Sequence, residues 1–328
     1  MELRKDPITR SWVMLGEADG LPALTGPCPF CRGNESLTPP TILALPDKSP
    51  EWQVRVVPHF RPMYRIEGDP GRSADGIYDR MRAVGAHEII VESPVHDWHI
   101  STAIPQEINL VLKAFALRVL DLKQDRRFKY VTVFRNRGER AGQEWPHPHS
   151  QLTATTFVPR RILYELRASR EYFAEKERCV FCDIVRQDER ENSRVVEILG
   201  SYVALCPYAS RVPYEIWILP RYHHHAFESD MNESPARIDL AMLIRRTVRR
   251  LEAITDFYHM VLHTSPNSLI RPGVGEYWKT LADDYHWHIE ILPIIPQSAK
   301  SYVLKEVYYS PVIPETAAEQ LRQVNPEE

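Results

Sequence analysis

The feature that most limits what this chain can fold into is an internal repeat. Cys28-Pro29-Phe30-Cys31 and Cys179-Val180-Phe181-Cys182 each open a parallel series of elements. In the first half the cysteine pair is followed by an apolar strand ending Val91-Glu92-Ser93-Pro94-Val95-His96. A stretch over 106–124 follows, with apolar residues at helical spacing, then a β-rich run over 130–134 and a polar loop. The series ends on Trp145-Pro146-His147-Pro148-His149-Ser150-Gln151. In the second half the order is the same: Ile216-Trp217-Ile218-Leu219-Pro220-Arg221-Tyr222-His223, a helical stretch over 235–255, a strand over 257–263, a loop, and Tyr285-His286-Trp287-His288-Ile289-Glu290-Ile291. This predicts an α+β protein of two tandem units, each an antiparallel sheet with a long helix. The units are expected over 1–176 and 177–328, divided after the charged helical segment 161–176, and 328 residues suit two such units.

Composition narrows the function. A formal charge of -3 supplies no broad field for nucleic acid or an anionic membrane, so any phosphate binding must be local. No apolar run is long enough to span a bilayer, and the first residues lack a signal-peptide stretch, so the expectation is a cytoplasmic protein. In that compartment two Cys-x-x-Cys pairs favour metal binding over disulfides, and both read as zinc knuckles that need two further ligands. Cys206, left over, reads as an inert small hydrophobe.

Alternate residues of an extended segment point the same way, so His147, His149 and Gln151 are expected on one face. Two imidazoles and a carboxamide make poor core material unless each finds a partner. They suit a site that attacks or holds a phosphoryl group, because neutral imidazole is a good nucleophile near neutral pH.

Cys28-Pro29-Phe30-Cys31-Arg32-Gly33-Asn34-Glu35 with Leu37-Thr38-Pro39-Pro40, then Ser93-Pro94-Val95-His96, then His147-Pro148-His149-Ser150-Gln151, resembles the galactose-1-phosphate uridylyltransferase family of the histidine-triad superfamily. The likeness continues through Glu171-Tyr172-Phe173-Ala174-Glu175 and His286-Trp287-His288-Ile289-Glu290-Ile291. It implies two histidine-triad-like units, His149 as a nucleophile toward the α-phosphorus of a nucleotide sugar, and Gln151 as donor to the phosphoryl oxygen. Nominally this is transfer between UDP-glucose and a hexose 1-phosphate in a ping-pong cycle. Gln151 stands where histidine-triad hydrolases carry a third histidine, which favours transfer. Asn136 is implied to bond a phosphate or sugar, and Gly142, Leu37, Phe60 and Ile89 to line the base pocket. The family likeness also implies a homodimer, with nucleotide sugar and sugar 1-phosphate or phosphate as partners.

For metals, the resemblance implies a structural zinc on Cys28, Cys31, His96 and His147, with His87 and His99 as competitors for the place of His96. For the second half two readings stay open. The repeat points to zinc on Cys179, Cys182, His223 and His286, whereas the resemblance points to iron or zinc on Glu165, His263, His286 and His288. The two sets share His286 and compete as written. His224 and His225 read as solvated neighbours.

The chain departs from the family around the substrate. The region 16–22 is acidic, without arginine; Pro58-His59-Phe60 keeps only the aromatic of the base-binding pattern; and Gly142-Gln143-Glu144 brings a carboxylate where a small hydroxyl serves phosphate. A carboxylate beside a diphosphate repels it unless it meets a cation or a proton. Lys300, Lys305 and Arg140 are candidates to restore positive charge. A phosphorylase or adenylyltransferase acting on ADP-glucose or a dinucleotide is therefore an alternative, with Ser150 as a pointer toward it. A metal-stabilised nucleotide-binding protein without catalysis is the alternative from another class.

Overall fold

The computed structural model describes residues 1–16, 26–46, 51–233, 237–269, 279–295 and 307–327. Four strands, β1 (Glu2–Lys5), β2 (Trp12–Leu15), β5 (Ser73–Asp75) and β6 (Tyr78–Arg82), form a small antiparallel sheet at one end. The main sheet takes β3 (Leu43–Leu45), β4 (Val54–Pro58), β7 (Gly85–Val91), β8 (Tyr130–Arg137) and β9 (His149–Thr155) from the first half. From the second it takes β10 (Val195–Leu199), β11 (Tyr202–Leu205), β12 (Ile216–Pro220), β13 (Tyr258–His263) and β14 (His288–Pro293). Its order is β10-β11-β12-β14-β13-β8-β9-β7-β4-β3, and the pairs are antiparallel. Counted inward from either edge, the strands appear in the same roles. The two series meet where β8 pairs with β13, Phe134 opposite Val261.

Helices cover one face of this sheet. In α1 (Pro105–Lys123), Ile108, Val111, Leu112, Phe115, Val119 and Leu122 recur at three- and four-residue spacing and form a buried stripe. Pro105 starts the helix where no N–H is required, and Glu107 accepts the N–H of Ile104 at 3.3 Å. Helices α4 (Phe227–Glu233), α5 (Arg237–Glu252) and α7 (Pro314–Gln323) complete this layer over residues such as Ile90, Leu152, Ile218 and Ile289.

The opposite face is covered differently in the two halves. Over the second half, Ile162 and Leu166 of α2 (Arg160–Lys176), Phe181 and Val185 of α3 (Val180–Glu191) and Leu281 of α6 (Leu281–Asp284) pack onto Val203, Leu205 and Leu219. Over the first half, loops bring Phe30, Trp52 and Trp145 onto Val57, Ile89 and Val91. The two halves are also locked by buried polar groups. The Lys123 ammonium meets the Glu228 carboxylate and donates to the Ser265 carbonyl at 2.7 Å, and the Asn267 amide donates to the carbonyls of Lys123 and Phe128.

Several boundaries differ from expectation. Both His-x-His strands start later than expected, at His149 instead of His147 and at His288 instead of Tyr285, because Pro148 lacks the N–H a ladder needs and His286 faces the cysteines instead. Strand β8 runs on to Arg137 because β13 gives its second half a partner. Helix α5 starts at Arg237 among the described residues, and positions 235 and 236 lie outside them.

Candidate active site and metal centres

His149 begins β9 and lies between aromatic rings, with Trp145 at 5.3 Å edge-on and Phe30 at 6.1 Å. Its Nδ1 is 2.8 Å from the His147 carbonyl, an acceptor only, so the proton of the neutral ring sits on Nδ1 and Nε2 keeps a lone pair. Burial holds the ring below the ordinary histidine pKa, although the His147 carbonyl opposes this. A neutral imidazole with one committed nitrogen and one free nitrogen is the form a phosphoryl nucleophile requires. Beneath it, Ser150 points to the helical layer and donates to Glu92 at 2.6 Å, and Glu92 pairs with the buried Arg135 at 3.3 Å. Ser150 therefore buttresses the strand and does not bear on the base of a nucleotide.

The four atoms expected for the first metal converge. Cys28 Sγ is 3.6 Å and Cys31 Sγ 3.7 Å from His147 Nδ1, and Cys31 Sγ is 3.5 Å from His96 Nδ1. A tetrahedral zinc with its usual bonds places sulfur and nitrogen about 3.5 Å apart, so the set fits the ion. His147 Nε2 donates to the Ser93 carbonyl at 2.8 Å, which turns the Nδ1 lone pair toward the sulfurs. The competitors are engaged elsewhere: His99 Nδ1 accepts from Arg137 at 2.7 Å, and His87 contacts Gln151.

The second half repeats this geometry. Cys182 Sγ lies 3.5 Å from His223 Nδ1 and 3.6 Å from His286 Nδ1, and Cys179 completes the group. His286 Nε2 donates to the Pro220 carbonyl at 3.0 Å and His223 Nε2 to that of Ala282 at 2.8 Å. The anticipated competition for His286 does not arise. Glu165, His263 and His288 form a separate group whose fourth member is Glu290. There Arg161 lies 3.0 Å from Glu165, Arg211 lies 2.7 Å from Glu290, and the Tyr285 hydroxyl donates to Glu165 at 3.1 Å. Burial works against charge on His263, but Glu165 and Glu290 outweigh it and raise its pKa. His288 is pushed down to about 4, chiefly by burial. The buried His288 Nε2 finds no hydrogen-bond partner among the described residues.

Of the expected pocket residues, Phe60 and Ile89 gather around Trp145, with Phe60 at 5.6 Å from it. Leu37 lies half exposed in a 3₁₀ turn outside that cluster. The Asn136 side-chain oxygen is 2.9 Å from His259 Nδ1, across the β8 and β13 pair. Gly142 takes a left-handed conformation, φ 71°, at the turn entering the loop that leads to His149. Arg140 stacks over Phe257 at 5.3 Å, whereas Lys300, Lys305 and residues 17–22 lie outside the described residues. His224 and His225 are half buried and stacked on one another, not solvated. Cys206 is fully buried and its thiol is pushed up to about 12 by burial, in keeping with an inert role. Sequence reading placed His59 and Glu144 near the substrate and His87 among the metal competitors, but it missed that His59 meets Glu144 and His87 meets Gln151. Glu144 lies 2.8 Å from His59 Nε2, which answers how a carboxylate is tolerated there. Burial raises its pKa, but the hydrogen bond with His59 together with the charges of His59, His87 and His149 outweighs this and keeps it lowered.

Family models match both halves: galactose-1-phosphate uridyl transferase, N-terminal domain, over residues 64–159, and the C-terminal domain over 165–326. ADP-glucose phosphorylase of Arabidopsis thaliana is 28% identical over 341 residues, covering 99% of this chain and 93% of that protein. Galactose-1-phosphate uridylyltransferase of Thermotoga maritima is 27% identical over 345 residues, covering 100% and 99%. Among solved structures, an ADP-glucose phosphorylase from Arabidopsis thaliana with bound ADP-glucose superposes with a TM-score of 0.77 at 28% identity over 99% of each chain. A uridylyltransferase structure gives 0.79 at 28% identity over 98% of each.

Proposed function

This chain belongs to the galactose-1-phosphate uridylyltransferase family and is a nucleotidyltransferase built as a tandem of histidine-triad-like units; we propose that it works by ping-pong transfer through His149. The observation that carries this reading is the hydrogen bond that commits His149 Nδ1 to the His147 carbonyl, so that the neutral ring keeps its lone pair on Nε2. Nε2 attacks the α-phosphorus of a nucleoside diphosphate sugar; the P–N bond forms as the bond to the sugar-phosphate oxygen breaks, and sugar 1-phosphate leaves with that electron pair. The positive charge gained by the ring is shared through Nδ1–H with the His147 carbonyl. Gln151 donates to a phosphoryl oxygen as charge develops. A second phosphate oxygen then attacks phosphorus and returns His149 to its neutral form. Asn136, Phe60, Ile89, Leu37 and Gly142 are assigned to the surroundings of the donor.

The donor is either UDP-glucose, the nominal reading, or ADP-glucose, supported by likeness to an ADP-glucose phosphorylase along nearly the whole chain. Separate incubation with each, followed by weighing the intact chain, decides between them. A uridylyl or adenylyl gain that is absent in His149→Ala is the expected result. No adduct from either donor overturns the reading and leaves a nucleotide-binding protein.

Zinc is assigned to both Cys₂His₂ sets, where it would fix the segment leading into β9 and that leading into β14. The Glu165, His263, His288 and Glu290 group is the alternative second centre, but its carboxylates already face Arg161 and Arg211. Metal analysis of purified protein should find two zinc ions per chain; iron would favour the alternative group. We assign the units to 1–176 and 177–328, and a homodimer as the working state, which light scattering checks.

A further inference from the structure

Two histidines beside the nucleophile belong to neither metal set. His59 and His87 stack with ring centroids 4.0 Å apart and planes 8° from parallel. Backbone groups fix both tautomers. The N–H of Met63 points to His87 Nδ1 at 3.2 Å and that of Arg61 to His59 Nδ1 at 3.0 Å. A backbone N–H can only donate, so each Nδ1 accepts and each neutral ring carries its proton on Nε2. His87 Nε2 lies 2.9 Å from the Gln151 side-chain oxygen, and His59 Nε2 lies 2.8 Å from Glu144 Oε2. The Gln151 amide cannot be reversed, because its NH₂ would then face another N–H. One backbone amide thus sets the direction of a carboxamide two residues from His149. Burial, helped by His59, holds His87 neutral with a pKa of about 4.

We propose that His87 is a positioning residue for the transfer reaction: it fixes the Gln151 amide so that its NH₂ faces the phosphoryl group on His149, while His59 supports the stack and holds Glu144 away from that group. The inference rests on the reading that His149 carries the nucleotidyl group. A freely rotating amide would spend part of its time with its oxygen toward the phosphoryl oxygens, where it repels. Glu144, released from His59, would do the same. The two departures from the family pattern at 59 and 144 therefore act as one pair.

The test compares His87→Phe, which keeps a ring to stack but no donor, with His87→Gln, which restores an N–H. The rate of adduct formation is followed by intact mass in a single turnover, using whichever of UDP-glucose and ADP-glucose labels the wild type. His87→Phe should be about tenfold slower at saturating donor, less than the loss of a whole oxyanion donor, with the half-saturating concentration little changed. His87→Gln should recover most of the rate. In a Gln151→Ala background His87→Phe should have no further effect. A wild-type rate in His87→Phe, or an equal slowing in both backgrounds, overturns the proposal. If the wild type itself takes no label, the transfer reading falls and this proposal with it. Should His87→Phe lose zinc or melt early, nitrogen-15 spectra of the wild type decide, and a proton on His87 Nδ1 overturns it.

Discussion

At the scale of single residues, identity settled the chemistry and surroundings settled the state. His147, His149 and Gln151 could be singled out because polar groups at alternate positions need partners, and each now has a different one: the Ser93 carbonyl, the His147 carbonyl and His87. His87 was legible only as a possible metal ligand, because nothing near it in sequence reveals that it lies opposite Thr153 on β9 and meets Gln151. Its burial has a thermodynamic consequence. The unfolded chain protonates this ring near 6.5 and the folded protein at about 4, so the unfolded state binds more protons between those values. Stability present above pH 6.5 is lost as pH falls toward 4, by about 3 kcal/mol when complete. Urea denaturation at pH 7 and pH 5 should show the wild type losing more stability than His87→Phe; equal losses would contradict the assignment.

At the scale of elements, helix periodicity and turn residues were readable, and ends set by tertiary partners were not. Helix α1 was placed within a residue at each end because its apolar stripe and Pro105 are local signals. Strand β8 was cut short because the polar run Arg135-Asn136-Arg137 shows no sign of its partner β13. The loop from β8 to β9 depends on Gly138, which sits at φ 79° with room for no Cβ, since one would come within 2.4 Å of Phe257. Gly138→Ala should cost about 2 kcal/mol through backbone strain alone, with more from displacing Phe257. A fall of roughly 5 °C in Tm is expected, and an unchanged Tm would show the loop to be pliable. The clip of Cys28, Cys31, His96 and His147 ties three further segments together. Chelation should therefore lower the Tm and slow His149 labelling in parallel, and readdition of zinc should restore both.

At the scale of the whole molecule, one sheet carries two sites with different covers. His149 and His288 are equivalent in the repeat, each two residues after a histidine of a Cys₂His₂ group that could hold a metal and each beside the phenylalanine of its cysteine pair. Helix α2 places Arg161 and Glu165 over the second, whereas loops cover the first among the described residues, so the two equivalent histidines have different surroundings. The halves should unfold together, because β8 pairs with β13 and Lys123 meets Glu228 across them. Lys123→Met leaves a buried carboxylate unpaired and should cost about 3–5 kcal/mol. Tryptophan fluorescence and circular dichroism should nonetheless give coincident urea transitions; two separate transitions would show the halves to be independent. The sequence by itself determined the repeat, the two cysteine pairs, the candidate His149 and the class of reaction, because spacing and side-chain chemistry are local properties of the chain. Only the tertiary structure decided that His286 belongs with the cysteines and Glu290 with Glu165, that Glu144 meets His59, and that His87 meets Gln151. Those partners lie far apart along the chain and on different elements, and only sheet register and the packing of loops onto one face bring them within a hydrogen bond.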